Sequence, residues 1–207
     1  MSDLMARAAA ALTATVRDIE PDQLSAPTPC AEFDVREVVH HLLFWGPSLE
    51  GAGRKESVPP PAAAESDLDL TTGDWAGDLT ALLDRVADAW APPSAWEGTT
   101  RMGGPMEFPA AVIGGMLVGE LVVHGWDLAR ATGQTIELDD NLDGDLLAYL
   151  LPEVAAGAEQ GRQMGIYGPE VAVPADAPTL DRILAMTGRD PAWTRLSAGA
   201  AAPGAAG

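Results

Sequence analysis

Apolar residues recur along most of this sequence at the alternating three- and four-residue intervals that mark one face of an α-helix. This periodicity predicts six helices, at residues 3–17, 34–50, 75–90, 108–132, 141–161 and 179–188. Asp34 followed by Glu37 has the capping-box arrangement at the start of the second helix, and Gly133 is a natural residue to end the fourth. The pattern therefore predicts an all-α protein with four main helices around one core and short extra helices.

The segments between the predicted helices are rich in proline, glycine and polar residues. The connector "GAGRKESVPPPAAAESDLDL" (51–70) is expected to form a long surface loop, with its acidic run "ESDLDL" solvated. Pro47 is expected to kink the second helix or to end it nearby. Gly-Gly-Pro within residues 96–109 predicts a small hairpin.

Composition and charge limit the classes of partner. Hydrophobic residues make up 47% of the chain and charged residues 21%, as in soluble globular proteins. A net charge of −19 predicts repulsion of nucleic acid and of anionic lipid, and Glu120 interrupts the longest apolar run, so we expect no membrane span. The N-terminus lacks a signal-peptide pattern and the single cysteine excludes an internal disulfide, which favours a cytoplasmic location. Residues 1–193 are assigned to one domain and residues 194–207 to a disordered tail.

Three ionisable residues interrupt the fourth predicted helix, "GELVVHGWDLARATGQ" (119–134). Glu120, His124 and Asp127 fall within about 60° of one another on a helical wheel. Three apolar residues share this stripe of the helix: Ile113, Met116 and Ala131. The ionisable groups therefore continue an apolar face, where they need to pair, to join a hydrogen-bonded network or to bind a metal.

The chain has only three histidines, and two of them lie together on the second predicted helix. His41 lies beside the apolar face of that helix and His40 further round toward solvent, so we favour His41 as the inward-facing residue. With Glu120 and His124 it gives two imidazoles and one carboxylate, a set that suits Zn²⁺ and also Fe²⁺, Mn²⁺ or Ni²⁺. Asp127, one turn beyond, is expected to accept a hydrogen bond from a ligating imidazole. A buried ion pair or a hydrogen-bonded core histidine would give the same pattern.

Two segments, "TPCAEFDVREVVHHLL" (28–43) and "GELVVHGWDLARATGQ" (119–134), resemble the signature segments of the DinB-like, mycothiol-dependent maleylpyruvate isomerase metal-binding domain family. The segment 166–193 resembles the close of its actinobacterial-type subfamily. The resemblance implies a DinB-like four-helix bundle that holds a divalent metal, usually zinc, through His41, Glu120 and His124. Relatives use the metal to handle low-molecular-weight thiols such as mycothiol or bacillithiol.

The resemblance leads to a functional hypothesis with an alternative. The leading function is activation of a small thiol, such as mycothiol, for S-transfer to a small electrophile or for its isomerisation, with Glu120 and Asp127 as candidate catalytic residues. The alternatives are a non-catalytic bundle that binds a metal or a small molecule, and a bundle whose polar stripe is structural. The oligomeric state is left open, with a homodimer as one option.

Other residues near the proposed ligands have simpler interpretations. Cys30 is assigned to packing and not to catalysis. Phe33 stands where relatives commonly carry tryptophan, which we interpret as a core substitution with little bearing on the chemistry. Trp45 and Trp126 are assigned to core packing. Arg130 is expected either to bind a carboxylate or to favour the C-terminal end of its helix.

Overall fold

The fold is taken from a computed structural model, which describes residues 2–136, 138 and 144–195. Within these residues it contains helices α1 (Ser2–Arg17), α2 (Val35–Gly53), α3 (Trp75–Trp90), α4 (Ala110–Thr132), α5 (Gly144–Gln163) and α6 (Thr179–Met186), and strands β1 (Thr99–Arg101) and β2 (Glu107–Pro109). Three short 3-10 turns lie at Pro21–Gln23, Glu65–Asp67 and Pro93–Trp96.

The first four helices form a bundle around one core. Helix α1 packs against α3 and α4, and α2 packs against the same two helices, so that α1 and α2 lie diagonally across the bundle. Helix α5 packs on α4, and α6 packs on α5. The two strands pair antiparallel, with Thr100 opposite Phe108. The predicted all-α four-helix bundle with short extra helices and a small hairpin is confirmed.

Local signals at the helix ends act as the sequence predicts. The Asp34 side chain accepts from the Glu37 backbone N–H at 2.9 Å, and the Glu37 side chain accepts from the Asp34 N–H at 2.8 Å. This capping box satisfies backbone donors that would otherwise lack partners at the start of α2. Gly133 ends α4 with a φ of 79°, a left-handed conformation that glycine adopts without strain.

Helix α2 continues past the point where the sequence predicts its end. Pro47 lies inside the helix, which runs on to Gly53, three residues beyond the predicted end at residue 50. Gly53 allows the last turn to approach α3 closely, because a Cβ there would lie 2.9 Å from the Trp90 indole. We infer that packing against α3 stabilises the last turn of α2, where glycine residues and the preceding Pro47 disfavour helix.

Helix α4 is the central helix of the core. It is long and apolar enough to cross a membrane by length and composition, but 78% of its most apolar window is buried inside the protein. This burial is the pattern of a core helix. Helix α4 carries Glu120, His124 and Asp127, and its packing against α2 brings the first two close to His41.

The C-terminal part of the chain returns to the bundle. Arg130 on α4 donates to the carbonyl oxygens of Pro191 and Trp193, at 3.2 and 3.0 Å. The first predicted residues of α5, 141–143, lie outside the described residues, as does the predicted tail from residue 196 onward. The domain boundary at residue 193 stays a prediction.

Candidate metal centre

Three side chains from two helices meet at one point in the bundle. Helix α2 supplies His41, and α4 supplies Glu120 and His124. One donor atom from each lies within 4.8 Å of the others, a spacing at which the three could hold a metal ion. His41 Nε2 is 3.8 Å from Glu120 Oε1, and His124 Nε2 is 3.4 Å from Glu120 Oε2. The structure therefore brings together the three residues that the sequence predicts as ligands.

A second carboxylate lies behind each imidazole. His124 Nδ1 is 3.0 Å from Asp127 Oδ2, and His41 Nδ1 is 3.1 Å from Glu65 Oε1. An imidazole whose Nδ1–H donates to a carboxylate keeps the lone pair of Nε2 free. When the rings are neutral in that tautomer, as ligation of a metal requires, both Nε2 lone pairs lie near the Glu120 carboxylate.

We call His124, Asp127 and Arg189 the buried arm of the centre. Asp127 is 0% exposed, and the Arg189 side chain is 7% exposed. The Arg189 guanidinium donates to both carboxylate oxygens, from Nη2 at 3.1 Å and from Nε at 3.4 Å. Its Nη1 also donates to the carbonyl oxygen of Thr187. The negative charge of Asp127 is thereby neutralised inside the protein.

We call His41, Glu65 and Trp45 the loop arm. Glu65 begins the 3-10 turn Glu65–Asp67 in the connector between α2 and α3. Its Oε1 accepts from Trp45 Nε1 at 2.7 Å as well as contacting His41, while its side chain remains 32% exposed. The prediction that the whole run "ESDLDL" is solvated is wrong at Glu65, because the connector folds back onto α2.

The two histidines of α2 both approach Glu65, His41 Nδ1 at 3.1 Å from Oε1 and His40 Nδ1 at 3.8 Å from Oε2, but they differ in their other partners. His40 Nε2 contacts the carbonyl oxygen of Leu68 at 3.1 Å, and its side chain is 12% exposed, against 19% for His41. The expectation that His40 points further toward solvent is wrong, since the same connector covers it. Only His41 of this pair belongs to the cluster with Glu120.

Phe33 lies directly against the centre. Its ring centroid is 5.5 Å from that of His41 and 6.5 Å from that of His124. The two imidazole centroids are themselves 5.4 Å apart. Phe33 therefore forms an apolar wall of the cluster, and its interpretation as a core substitution with little bearing on the chemistry stays a prediction.

The charges around the centre shift several pKa values. Burial alone would raise the pKa of Glu120, but His124, His41 and Arg189 together lower it to about 2. Burial disfavours the charged form of His41, yet the hydrogen bond and the charge of Glu120, with a contribution from Glu65, raise its pKa. In the metal-free protein these shifts favour the ionised form of Glu120 and the protonated form of His41, because each stabilises the charge of the other.

Two further groups have pKa values raised by their surroundings. Burial raises the pKa of the Tyr167 phenol, and the negative charge of Glu120 raises it further. Burial also raises the pKa of the Cys30 thiol, with Arg189 opposing and Asp127 adding to this effect. Both groups are therefore predominantly neutral at physiological pH.

Three expectations about neighbouring positions on α4 have different outcomes. Met116 is 40% exposed, whereas Ile113 and Ala131 on the same stripe are buried, so the apolar stripe is not solvent-shielded along its whole length. Trp126 is buried in the core, as predicted. Arg130 lies 5.6 Å from the Trp126 ring and, within the described residues, donates to backbone carbonyls of the C-terminal segment.

Sequence reasoning missed Glu65 and Arg189. Glu65 lies in a polar loop, where an acidic residue carries no signal of its own. Arg189 is 62 residues from its partner Asp127, and no local pattern connects the two. The one available signal was the unexplained charge of Asp127 on an apolar face, which required a buried cation somewhere in the chain.

Comparisons with known proteins agree with this architecture. Residues 5–129 match the family described as mycothiol maleylpyruvate isomerase N-terminal domain, a stretch that holds the three clustered donors and Asp127. Two uncharacterized proteins of Mycobacterium tuberculosis, from two strains, are each 30% identical over 196 residues, covering 91% of this chain and 98% of theirs.

Two solved structures share the fold. The crystal structure of the mycothiol-dependent maleylpyruvate isomerase matches with a TM-score of 0.56 and 13% identity, over 82% of this chain and 73% of that one. A histidine-to-alanine mutant of the same enzyme matches with a TM-score of 0.58 and 13% identity, over 77% and 70%. At this identity the likeness shows the fold alone.

Proposed function

Because the chain belongs to the mycothiol maleylpyruvate isomerase N-terminal domain family, we propose that it binds one divalent metal ion and uses it to activate a small thiol. His41, Glu120 and His124 would hold the ion. The observation that carries the proposal is the paired arrangement of the imidazoles: each Nδ1 meets a carboxylate and each Nε2 faces Glu120. A structural ion pair alone would not require both rings to be oriented in this way.

The donor set fits a catalytic metal better than a structural one. Two imidazole nitrogens and one carboxylate suit Zn²⁺ with a remaining position for water or substrate. We therefore propose zinc, while the same donors accept other divalent transition metals. The Glu120 carboxylate, with its pKa of about 2, keeps its negative charge for the ion at every physiological pH.

A metal ion bound here would supply positive charge that lowers the pKa of a thiol from its usual value of about 8.5. We propose mycothiol or a similar low-molecular-weight thiol as cosubstrate, because the matched family is described by that chemistry. The thiol proton leaves to water, since Glu120 is too weak a base to hold it. The sulfur then forms a bond to a carbon of a small electrophile. In S-transfer a leaving group departs from that carbon, and in isomerisation the thiol is expelled again.

The residues of the chain act on this reaction through position and charge. Glu120 is the candidate that touches the reacting centre, as an anionic ligand. Asp127 acts through His124 and is therefore a positioning residue, with Arg189 holding it in place. Phe33 shields one side of the imidazole pair from water. A reduced small thiol as cosubstrate also favours a cytoplasmic location.

The metal site is tested by elemental analysis of protein purified without chelator. We expect one divalent ion per chain, lost in His41→Ala, Glu120→Ala and His124→Ala. His40→Ala is the neighbouring control: His40 contacts the Leu68 carbonyl and lies 3.8 Å from Glu65, but it is outside the donor cluster, so this variant should retain most of its metal. Loss of metal in His40→Ala with full occupancy in His41→Ala would show that the wrong histidine was assigned.

The thiol chemistry is tested on the metal-loaded protein. Mycothiol, bacillithiol and glutathione are each offered with a panel of activated electrophiles, and thiol consumption is measured. We expect turnover whose rate rises with pH through an apparent pKa below that of the free thiol. A fully metal-loaded protein that consumes none of these thiols would instead favour a non-catalytic binder of metal or small molecules.

A further inference from the structure

Glu65 is an acidic residue of the connector whose carboxylate lies against His41, although nothing in the sequence marks it. We propose that Glu65 is a positioning residue of the metal centre: it orients His41 so that Nε2 faces the ion, as Asp127 does for His124. The inference rests on the proposed function and extends it to a loop outside the helical bundle. It also gives the connector between α2 and α3 a specific role.

The geometry of Glu65 supports orientation of the ring. Glu65 Oε1 contacts both Trp45 Nε1, at 2.7 Å, and His41 Nδ1, at 3.1 Å. An indole nitrogen can only donate, so this oxygen must act as an acceptor toward Trp45. The same oxygen is then placed to accept from His41 Nδ1–H. That contact selects the tautomer whose Nε2 lone pair is free.

The position of Glu65 relative to the ring distinguishes positioning from ligation. Glu65 contacts Nδ1, whereas Glu120 lies on the Nε2 side of the same imidazole. Within the described part of the chain, the cluster of possible ligands contains His41, Glu120 and His124 but not Glu65. Glu65 therefore lies behind the ring, where carboxylates that support metal-ligating histidines are found.

The connector is held on both sides of Glu65. Just before it, the Ala64 backbone N–H donates to the Asp67 side chain at 2.9 Å, which closes the 3-10 turn. Just after it, the Leu68 carbonyl oxygen contacts His40 Nε2 at 3.1 Å. These contacts limit the freedom of a carboxylate that is otherwise 32% exposed. The arrangement is a supported contact and not a chance approach of a surface side chain.

Zinc affinity is the first test, measured by competition with a chromophoric chelator. Glu65→Ala should bind zinc about 10- to 100-fold more weakly than wild type, the usual cost of losing such a partner. Glu65→Gln should lose less, because its amide oxygen can still accept from His41. Glu56→Gln is the matched control: it removes one negative charge from the same connector at an exposed position, and its affinity should equal that of wild type.

The second test reads the His41 ring directly and needs no metal. Nitrogen-15 NMR of the histidine side chains is recorded on metal-free protein at mildly alkaline pH, where neutral tautomers can be distinguished. Wild type should show His41 protonated at Nδ1, and Glu65→Ala should show a mixture of tautomers at His41 with His124 unchanged. Trp45→Phe removes the other hydrogen bond to Glu65 but should keep the His41 tautomer, which separates ring orientation from mere anchoring of the loop.

The two tests distinguish failure of this inference from failure of the proposed function. A wild type that binds no metal would overturn the proposed function, while the metal-free spectra would still report whether Glu65 orients His41. A wild type that binds zinc, together with an unchanged affinity or an unchanged His41 tautomer in Glu65→Ala, would overturn the role of Glu65 alone.

Discussion

In both the buried arm and the loop arm a carboxylate contacts Nδ1 of an imidazole, but the two carboxylates differ in burial and in their second partner. The Nδ1 to carboxylate distances are 3.0 Å for His124 and 3.1 Å for His41. Asp127, however, is 0% exposed and paired with Arg189, whereas Glu65 is 32% exposed and receives its second hydrogen bond from a neutral indole. A carboxylate can thus orient an imidazole from the core of a bundle or from a surface loop.

The difference lies in what each carboxylate does for the folded state. A carboxylate without water must have a partner charge, and Asp127 has one in Arg189. The Glu65 side chain is 32% exposed, so its carboxylate stays partly hydrated and does not need a cation to compensate for burial. We therefore expect changes in the buried arm to reduce both stability and metal affinity, and changes in the loop arm to reduce metal affinity alone.

The largest expected effect is on the stability of the buried arm. Asp127→Ala leaves the Arg189 guanidinium buried without its counter-charge, which should cost about 3 to 5 kcal/mol in the free energy of unfolding. Glu65→Ala should cost less than about 1 kcal/mol, as for an exposed charged pair. Urea unfolding of the metal-free variants measures both.

A double variant provides the control for that prediction. Asp127→Ala combined with Arg189→Met removes both charges, so it should be more stable than Asp127→Ala alone. Equal losses of stability in Asp127→Ala and Glu65→Ala would break the distinction between the arms.

The next largest expected effect is a loss of zinc affinity in Asp127→Asn. Asp127→Asn keeps the shape of the side chain and one acceptor oxygen but removes the charge that favours Nδ1–H donation by His124. Zinc affinity should fall by about 10- to 100-fold without being abolished. An experimental structure with an Asp127 oxygen about 2.0 to 2.2 Å from the ion would contradict this role and make Asp127 a ligand.

A smaller effect is expected in the pH dependence of the metal-free protein. The lowered pKa of Glu120 contributes stability that is present above its ordinary value of 4.5 and is lost as the pH falls toward about 2. The raised pKa of His41 contributes stability that is fully present below its ordinary value of 6.5 and is lost as the pH rises through the raised value. Both contributions to the free energy of unfolding are therefore fully present between pH 4.5 and pH 6.5.

Glu120→Gln tests that window. The difference in free energy of unfolding between wild type and this variant should be largest between pH 4.5 and 6.5 and should shrink on either side. Thermal unfolding at a series of pH values, with chelator present, measures it. A constant difference across the range would show that Glu120 and His41 do not interact as charges.

The two arms also differ in how far the sequence predicts them. The buried arm begins as a pattern, because His124 and Asp127 are one turn apart on a long apolar helix that carries few ionisable residues, and the capping box fixes where α2, the helix of His41, begins. Glu65 could not be found in this way, since the path of a loop depends on tertiary contacts and not on local spacing. Arg189 was missed for the same reason.

The errors at the fold level have the same origin. Periodicity located all six helices, but the end of α2 lies beyond its prediction because Gly53 packs closely against Trp90. Met116 shares a wheel position with the buried Ile113 and is nevertheless 40% exposed, although Leu117 beside it is buried. Local patterns give the face of a helix but not how far along that face its neighbours extend.

The smallest expected effect is at Cys30, which lies beside the buried arm. Its thiol is influenced by the charges of Arg189 and Asp127, and burial raises its pKa, so little thiolate forms near neutral pH. Both arms orient ligands and neither supplies a nucleophile, which leaves the sulfur chemistry to the cosubstrate. Cys30→Ser should therefore keep its metal and change the rate of thiol consumption by less than about twofold, as measured on the metal-loaded protein. A variant that retains full metal but loses thiol transfer would make Cys30 the nucleophile and would give the buried arm a chemical role that the loop arm lacks.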